Sequence, residues 1–457
     1  MAQDLYLPIS AVSEINWPSF PPPGDIACQA LLYQLSRSQW WSQSSLQQHQ
    51  LVQACNLLQH ALKTVPYYED ALVDIDDEIW QKPTLQGWSS LPLLTREDIQ
   101  ASPEKLMTSA LPSGHGRTFD LQTSGSTGRP IQVKGSRLTG LFYRTLGLRF
   151  HFWHKRDFRS KDLTVRSTRN VDMPPSGVRT MASWVSGYKT GKSVLMDISL
   201  PTDVIYRQVL HEEPDYIQTH PSVVKALIDH STESNRFPEH LKEIRTFGEV
   251  LDPELRMLCR EYWKVPIADN YSATEVGVIA LQCPEQEHYH VQSESVFVEV
   301  VDAQGLPCRP GEIGRIVVTV LHNFATPLIR YELGDYAEVG EKCSCGRGLP
   351  VLHRILGRVR NLVRLPDGRT LHPEFSSEKL NAIAPIRQYQ LTQVSLEQIE
   401  VKLVMPRELT DVERTALCNY FSRNFRYDFR YRFLRVENIP KTEAGKYEVF
   451  RSDIVDQ

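Results

Sequence analysis

The most chemically suggestive run in the chain is Thr123-Ser124-Gly125-Ser126-Thr127-Gly128-Arg129-Pro130. Glycines let a backbone turn several N–H groups toward one point and the hydroxyls add donors, so such a loop can cradle a polyphosphate. The P-loop spacing G-x-x-x-x-G-K-[ST] is absent, and a flexible Ser/Gly linker has the same composition. A second run, Asp269-Asn270-Tyr271-Ser272-Ala273-Thr274-Glu275, sets an aromatic ring, hydroxyls and a carboxylate close together. A tyrosine ring can stack on a base and a glutamate can ligate a hard cation beside phosphate oxygens; a surface turn with a solvated glutamate reads the same way. A third, Pro327-Leu328-Ile329-Arg330-Tyr331-Glu332-Leu333-Gly334-Asp335, ends an apolar run on a carboxylate that can accept hydrogen bonds from vicinal ribose hydroxyls. Gly357-Arg358 and Pro440-Lys441-Thr442-Glu443-Ala444-Gly445-Lys446 complete the set, each also compatible with a turn or a solvated charge.

These residues need a scaffold, and 457 residues supply enough for two or three domains and a large core. With 41% hydrophobic and 23% charged residues the chain is neither disordered nor fibrous. Lys plus Arg (51) nearly balances Asp plus Glu (55), so no broad basic field exists to hold nucleic acid or an anionic membrane. No uncharged run approaches the roughly 20 residues that span a bilayer, and the start MAQDLYLPIS has no basic-then-apolar leader, so a soluble, cytoplasmic protein is expected. Eight cysteines, mostly isolated, point to reduced thiols or a metal site rather than a disulfide framework.

Apolar spacing predicts helix from Ile26 to Leu62. From about Leu163 to Gly277 short apolar runs alternate with helical patterns, which predicts an α/β domain. Between about His288 and Val339 closely spaced runs (VFVEVVD, GRIVVTVL, YAEVG) predict a strand-rich subdomain. A small second domain is expected beyond a boundary placed near Gly357 to Asn361. The expected division is a helical extension over 1–60, a large domain over 61–357 and a small mobile domain over 358–457.

Taken in order, the five chemical segments resemble the adenylate-forming superfamily of acyl-CoA synthetases, peptide-synthetase adenylation domains and luciferases. Val65-Pro66-Tyr67-Tyr68, the stretch Leu91 to Ile99 and Cys343-Ser344-Cys345-Gly346-Arg347 are similar to its phenylacetate-CoA ligase branch, from about residue 60 onward. The resemblance implies an α/β fold: a large multi-subdomain N-terminal domain with a β-rich subdomain, and a small α+β C-terminal lid. It implies that Ser124, Gly125, Ser126, Thr127 and Gly128 hold the ATP β- and γ-phosphates. Gly248 and Glu249 border the adenine, Tyr271 stacks on it, Thr274 touches the α-phosphate, Glu275 binds Mg2+, and Asp335 with Arg358 holds the ribose. Lys446 is the implied catalytic cation, bridging carboxylate and α-phosphate. Trp184, Tyr188, His220 and Pro221 resemble the acyl-pocket lining, although lone Trp and His residues are commonly core.

The hinge departs from the family's Gly-Arg-x-Asp-Asp: here Gly357-Arg358-Val359-Arg360-Asn361 puts Arg360 at the pivot. Leu365-Pro366-Asp367-Gly368-Arg369-Thr370 stands in place of the usual glycine loop. In several relatives a Cys and a His join a Cys-x-Cys pair around a structural zinc, which implies Cys283, His290, Cys343 and Cys345 here, with His288 competing for the place of His290. Ordinary thiols beside a surface histidine are the other reading. The basic run Arg423 to Arg435 reads either as a contact for CoA phosphates or as a solvated strand face.

The implied reaction joins a carboxylic acid to ATP as acyl-AMP with loss of pyrophosphate, after which a thiol displaces AMP. An aryl, phenylacetate-like acid and CoA are the expected substrates, with Mg2+ and a structural Zn2+ as the metals. The chain ends at Gln457 soon after Lys446, so no carrier domain is expected to follow; free CoA, the phosphopantetheine of a separate carrier protein, or an amine is the expected acceptor. Two other readings stay open, a stand-alone enzyme that loads a carrier protein and an inert adenylate-binding pseudoenzyme. A homodimer is compatible with all of them.

Overall fold

In the computed structural model, which describes residues 8–72, 84–123, 130–169, 171–358, 363–371, 373, 375–439 and 449–454, the short apolar runs become strands whose order follows from where helices can cover them. A hairpin of β1 (Thr118–Gln122) and β2 (Gln132–Ser136) comes first. Then β3 (Asp162–Arg166), β4 (Val178–Met181), β5 (Ser193–Asp197), β6 (Tyr216–Thr219), β7 (Glu243–Phe247), β8 (Ile267–Ala273), β9 (Gly277–Gln282), β10 (Tyr289–Val291), β11 (Val296–Val301), β12 (Ile313–Val320), β13 (Tyr331–Val339) and β14 (Val351–Arg358) share one sheet. Its order is β11-β12-β13-β14-β10-β9-β8-β7-β6-β3-β5-β4.

The pairs β5/β3, β3/β6, β6/β7 and β7/β8 are parallel, and parallel strands are buried on both faces. That is why their sequences are nearly continuous apolar runs: Leu163, Val165, Val194, Met196, Ile217 and Ile244 share a core with Val209, Val224 and Leu227 of the helices Thr202–Glu212 and Pro221–Ser234. The second of these helices opens on Pro221, where a missing N–H costs nothing, and stops at Asn235, whose φ of 51° is left-handed. From β8 onward the pairing turns antiparallel and the strands close around Ile279, Val291, Val296, Ile316, Val318 and Leu333.

The helical stretch expected from Ile26 to Leu62 is two helices, Pro23–Ser38 and Gln43–Thr64. Ser42 breaks it by accepting a bond from the Ser45 N–H, which starts a new helix. The second helix is not an appendage: Leu57, Leu58 and Ala61 lie in the same core as β11 and β12. The corner between the helices is held by Gly348, whose N–H donates to the Gln39 carbonyl at 2.9 Å. A Cβ at Gly348 would lie 1.7 Å from the Trp41 carbonyl oxygen, so only glycine fits.

The chain divides into two compact units, Met1–Ile355 and Leu356–Gln457. In the second, β15 (Val363–Arg364) pairs with β16 (Thr370–Leu371), and a sheet of order β19-β18-β17-β20 is built from β17 (Gln388–Ser395), β18 (Gln398–Val404), β19 (Arg430–Arg435) and β20 (Phe450–Ser452). The helix Asp411–Phe425 buries Leu417, Phe421 and Phe425 against Leu391 and Val401. The basic run therefore ends on an edge strand, where Arg430 pairs with Glu397 and Arg432 lies 3.7 Å from Glu400. The α/β class and a smaller sheet domain after a large one agree with the sequence-based expectation. Among the described residues no helix is long and apolar enough to cross a membrane.

Candidate functional site

Parallel pairing sets Thr219 beside Thr246, and Phe247 beside Asn270, so the residues that follow β6 and β7 leave the sheet at one edge together with Tyr271. Ligands of open α/β sheets bind outside such carboxyl ends. His220 is buried there, its Nδ1 donating to the Phe247 carbonyl at 3.0 Å. Gly248 turns the chain with φ +79°. Glu249 reaches back to the start of the helix Pro221–Ser234, accepting from Ser222 N–H at 2.9 Å and from Ser222 Oγ at 3.0 Å. A carboxylate suits that helix N-terminus.

The Tyr271 hydroxyl donates to Asp335 Oδ2 at 2.7 Å. These residues sit on β8 and β13, which β9, β10 and β14 separate in the sheet order. With strands about 4.8 Å apart, a flat sheet would hold them roughly 19 Å apart, so the sheet rolls between them. The same roll brings Tyr331 of β13 to the β8–β9 turn, where its hydroxyl donates to Glu275 Oε1 at 3.3 Å. Glu275 is 4% exposed, whereas Thr274 beside it is on the surface. Tyr271, Asp335 and Glu275 thus stand on two facing walls, with Gly248 and His220 on the adjoining strand ends.

Beneath this edge lies Asp269, which carries no role in the sequence reading although strand alternation puts it on the face of Tyr271. Its Oδ1 accepts from Thr246 Oγ1 at 2.6 Å and its Oδ2 from the Tyr289 hydroxyl at 2.7 Å. Burial pushes its carboxyl up to about 6 against those hydrogen bonds and the Arg256 charge. A raised carboxyl pKa favours the native state while both forms are protonated, and that advantage is lost as pH rises from the ordinary 3.8 to about 6. The stability of wild type relative to Asp269→Asn should therefore fall by roughly 2 kcal/mol between pH 4 and pH 7. Urea midpoints of both proteins at the two pH values check this; a difference that stays constant would show that Asp269 is ionised throughout.

Trp184 and Tyr188 are not at this edge. Trp184 Nε1 donates to the Ser160 carbonyl at 2.9 Å and its ring lies 5.7 Å from that of Tyr216. Ser160 precedes β3 and Tyr216 opens β6, so these are the amino ends of the strands. Both aromatics pack in an apolar cluster with Cys28, Leu148 and Phe158. The expected acyl-pocket role is corrected to a core role for these two; His220 and Pro221 do reach the carboxyl edge. Arg358 ends β14 at the start of the second unit. Ser124, Gly125, Ser126, Thr127, Gly128, Arg360 and Lys446 lie outside the described residues.

A second cluster sits where β9 ends. Cys283, His288, His290 and Cys343 each bring a donor atom within 4.8 Å of the others. Cys283 Sγ and Cys343 Sγ are 3.8 Å apart, far beyond a disulfide and equal to the roughly 3.8 Å edge of a tetrahedron with 2.3 Å metal–sulfur bonds. Cys345 Sγ lies 3.4 Å from His290 Nε2. His288 Nε2 is buried without a hydrogen-bond partner among the described residues. Burial, with His288 nearby, pushes His290 down to about 4, and so keeps it a neutral imidazole able to ligate. Burial raises Cys343 to about 12, whereas at Cys345 hydrogen bonds to Arg347 and its charge outweigh burial and lower the thiol. The mutually close donors of Cys283, His288, His290 and Cys343 fit a tetrahedral, Zn2+-type site, so His288 joins the set and the expected Cys345 is not part of it. Arg347 extends the cluster to the helix corner, donating to Gln39 Oε1 at 3.2 Å and lying over the Trp40 and Trp153 rings.

Residues 121–324 match the family of AMP-binding enzymes, and residues 364–453 match the CapK C-terminal domain. These two matches lie along the chain in the order expected from the resemblance to the adenylate-forming superfamily. A phenylacetate-coenzyme A ligase from Thermus thermophilus is 28% identical over 201 residues, 42% of this chain and 45% of that protein, so the match spans less than half of the relative. The fold superposes on 2-hydroxyisobutyryl-CoA ligase in its postadenylation state with a TM-score of 0.71 and 16% identity, over 92% of each chain. It superposes on the anthranilate CoA ligase AuaEII bound to anthranoyl-AMP with a TM-score of 0.52 and 14% identity, over 72% of this chain and 65% of that one.

Proposed function

We propose that this protein activates a carboxylic acid with ATP as acyl-AMP and passes the acyl group to a thiol, with an aryl acid and CoA as the substrates. The observation that carries the proposal is the Tyr271–Asp335 bond with Glu275 beside it, made by two segments distant in sequence and placed at the carboxyl edge of the sheet. Tyr271, tethered through its hydroxyl, presents a ring of fixed orientation for stacking on adenine. An ionised carboxylate has about four acceptor sites, so Asp335 can accept from Tyr271 and from ribose hydroxyls together. Gly248 supplies backbone without a side chain where the base edge would pass.

The acid oxygen attacks the α-phosphorus, the bond to the bridging oxygen breaks, and pyrophosphate leaves. Two anions must approach, which demands cationic screening. Glu275 is the residue that would hold Mg2+, whose charge offsets that of the polyphosphate when bound. Thr274 would donate to the α-phosphate, and Ser124 to Gly128 would hold the β- and γ-phosphates. Lys446 would sit between carboxylate and α-phosphate, stabilising charge as it develops. Arg358 would join Asp335 at the ribose, and Arg360 would set the pivot that exposes the adenylate to the thiol. His220 and Pro221 would border the acid. The Cys/His cluster would bind Zn2+ as a brace between β9, β10 and the Cys-x-Cys turn.

Acceptor choice is tested by offering CoA, a holo-carrier protein and an amine after adenylation and identifying the acylated species by mass spectrometry. Thioester on CoA is the expected result. Rapid carrier loading with no acyl-CoA would replace CoA by a carrier, and ATP binding with no turnover of any acid would favour the inert reading.

A further inference from the structure

We infer that Tyr331 is a positioning residue that orients Glu275 for the divalent cation accompanying ATP, an inference that rests on the function proposed above. Tyr331 is 0% exposed and its hydroxyl donates to a carboxylate that is itself nearly buried. A carboxylate out of water needs a donor or a cation on each oxygen to hold one rotamer, and the bond at Oε1 fixes the plane of the group. Glu275 sits in a turn, where the Val276 N–H bonds back to the Ala273 carbonyl, so the backbone alone leaves its side chain free to rotate.

Tyr331 itself has little freedom. The preceding residue, Arg330, holds a φ of 46°, in the left-handed region that costs a non-glycine residue energy. That turn is held by buried contacts: Arg330 Nε and Nη2 each lie 3.1 Å from the Glu299 carboxylate, and Nη1 donates to the Ser89 carbonyl at 2.7 Å and to that of Leu91. The Arg330 N–H donates to Thr319 Oγ1 at 3.0 Å. On either side of Tyr331, the Arg330 carbonyl accepts from Leu94 N–H and the Glu332 N–H donates to the Leu94 carbonyl, at 3.0 and 2.9 Å. The strained turn thus aims one tyrosine at one glutamate.

Tyr331→Phe removes the hydroxyl and keeps the ring. Partners of metal ligands are typically worth about 10–100-fold in metal affinity. The variant should need roughly tenfold more Mg2+ for half-maximal acid-dependent ATP–pyrophosphate exchange, with its thermal midpoint near that of wild type. Calorimetry with ATP gives a readout independent of turnover: binding should weaken in Mg2+ and stay unchanged in EDTA. Glu275→Gln marks the limit of the Mg2+ effect. An unchanged Mg2+ dependence with a lowered thermal midpoint, or equal weakening with and without Mg2+, would overturn the inference and leave Tyr331 a packing residue. Absence of acid-dependent exchange in wild type would count against the proposed function, while the calorimetric comparison would still decide the role of Tyr331.

Discussion

Lys446→Ala is expected to slow acyl-AMP formation by about 10²–10³-fold, the usual loss when one preorganised donor to a developing charge is removed. The same variant should convert supplied acyl-AMP to thioester at close to the wild-type rate. The asymmetry follows from charge. In the proposed first half-reaction an anionic carboxylate approaches an anionic polyphosphate, and an ammonium group between them would cancel part of the repulsion at the point where the new bond forms. In the second the nucleophile meets a mixed anhydride that is already activated and AMP departs, so the need for that cation is smaller. Single-turnover measurements of the two steps check this. Equal loss in both would assign Lys446 a structural role.

Cys343→Ser is expected to lower bound zinc from about one equivalent per chain to nearly none, and to lower stability while the folded fraction keeps measurable activity. Serine offers a hard, protonated oxygen in place of a thiolate, and the Cys283–Cys343 edge of the donor set is lost. The effect should spread to the helix corner, because Arg347, two residues past Cys345, ties Gln39, Trp40 and Trp153 together. Metal analysis of the purified protein and a thermal scan with and without chelator measure both parts. Unchanged metal content would remove Cys343 from the ligand set, and Cys345 would then be tested in its place.

The resemblance to the adenylate-forming superfamily was legible in the order of the five motif runs, each of which alone also reads as a turn, a linker or a solvated charge. The strand-rich texture after His288 was legible as strands, and their antiparallel pairing has an elementary reason: closely spaced β-branched runs with Gly and Asp between them have room for hairpins and not for crossover helices. Tertiary consequences were not legible. Nothing local says that Tyr271 bonds to Asp335, since the contact depends on how far the sheet rolls between β8 and β13. Trp184 and Tyr188 were expected in the pocket only because their run resembles the acyl-pocket lining of the family. Which end of a parallel strand such a loop faces depends on pairing partners that the loop does not encode. Asp269 and Tyr331 stand inside two of the chemical runs without an assigned role, and strand alternation is the signal that sets Asp269 on the face of Tyr271 and Tyr331 on that of Asp335. The break at Ser42 carried a readable sign, a hydroxyl residue ahead of a new apolar period.

The most direct test is pyrophosphate release from Mg-ATP over a panel of aryl, short aliphatic and amino acids, with hydroxylamine present to trap acyl-AMP. The account predicts release and a matching hydroxamate that depend on an acid, strongest with aryl acids, and their loss in Asp335→Ala. Pyrophosphate release that ignores every acid, or ATP binding with no release across the panel, would contradict it.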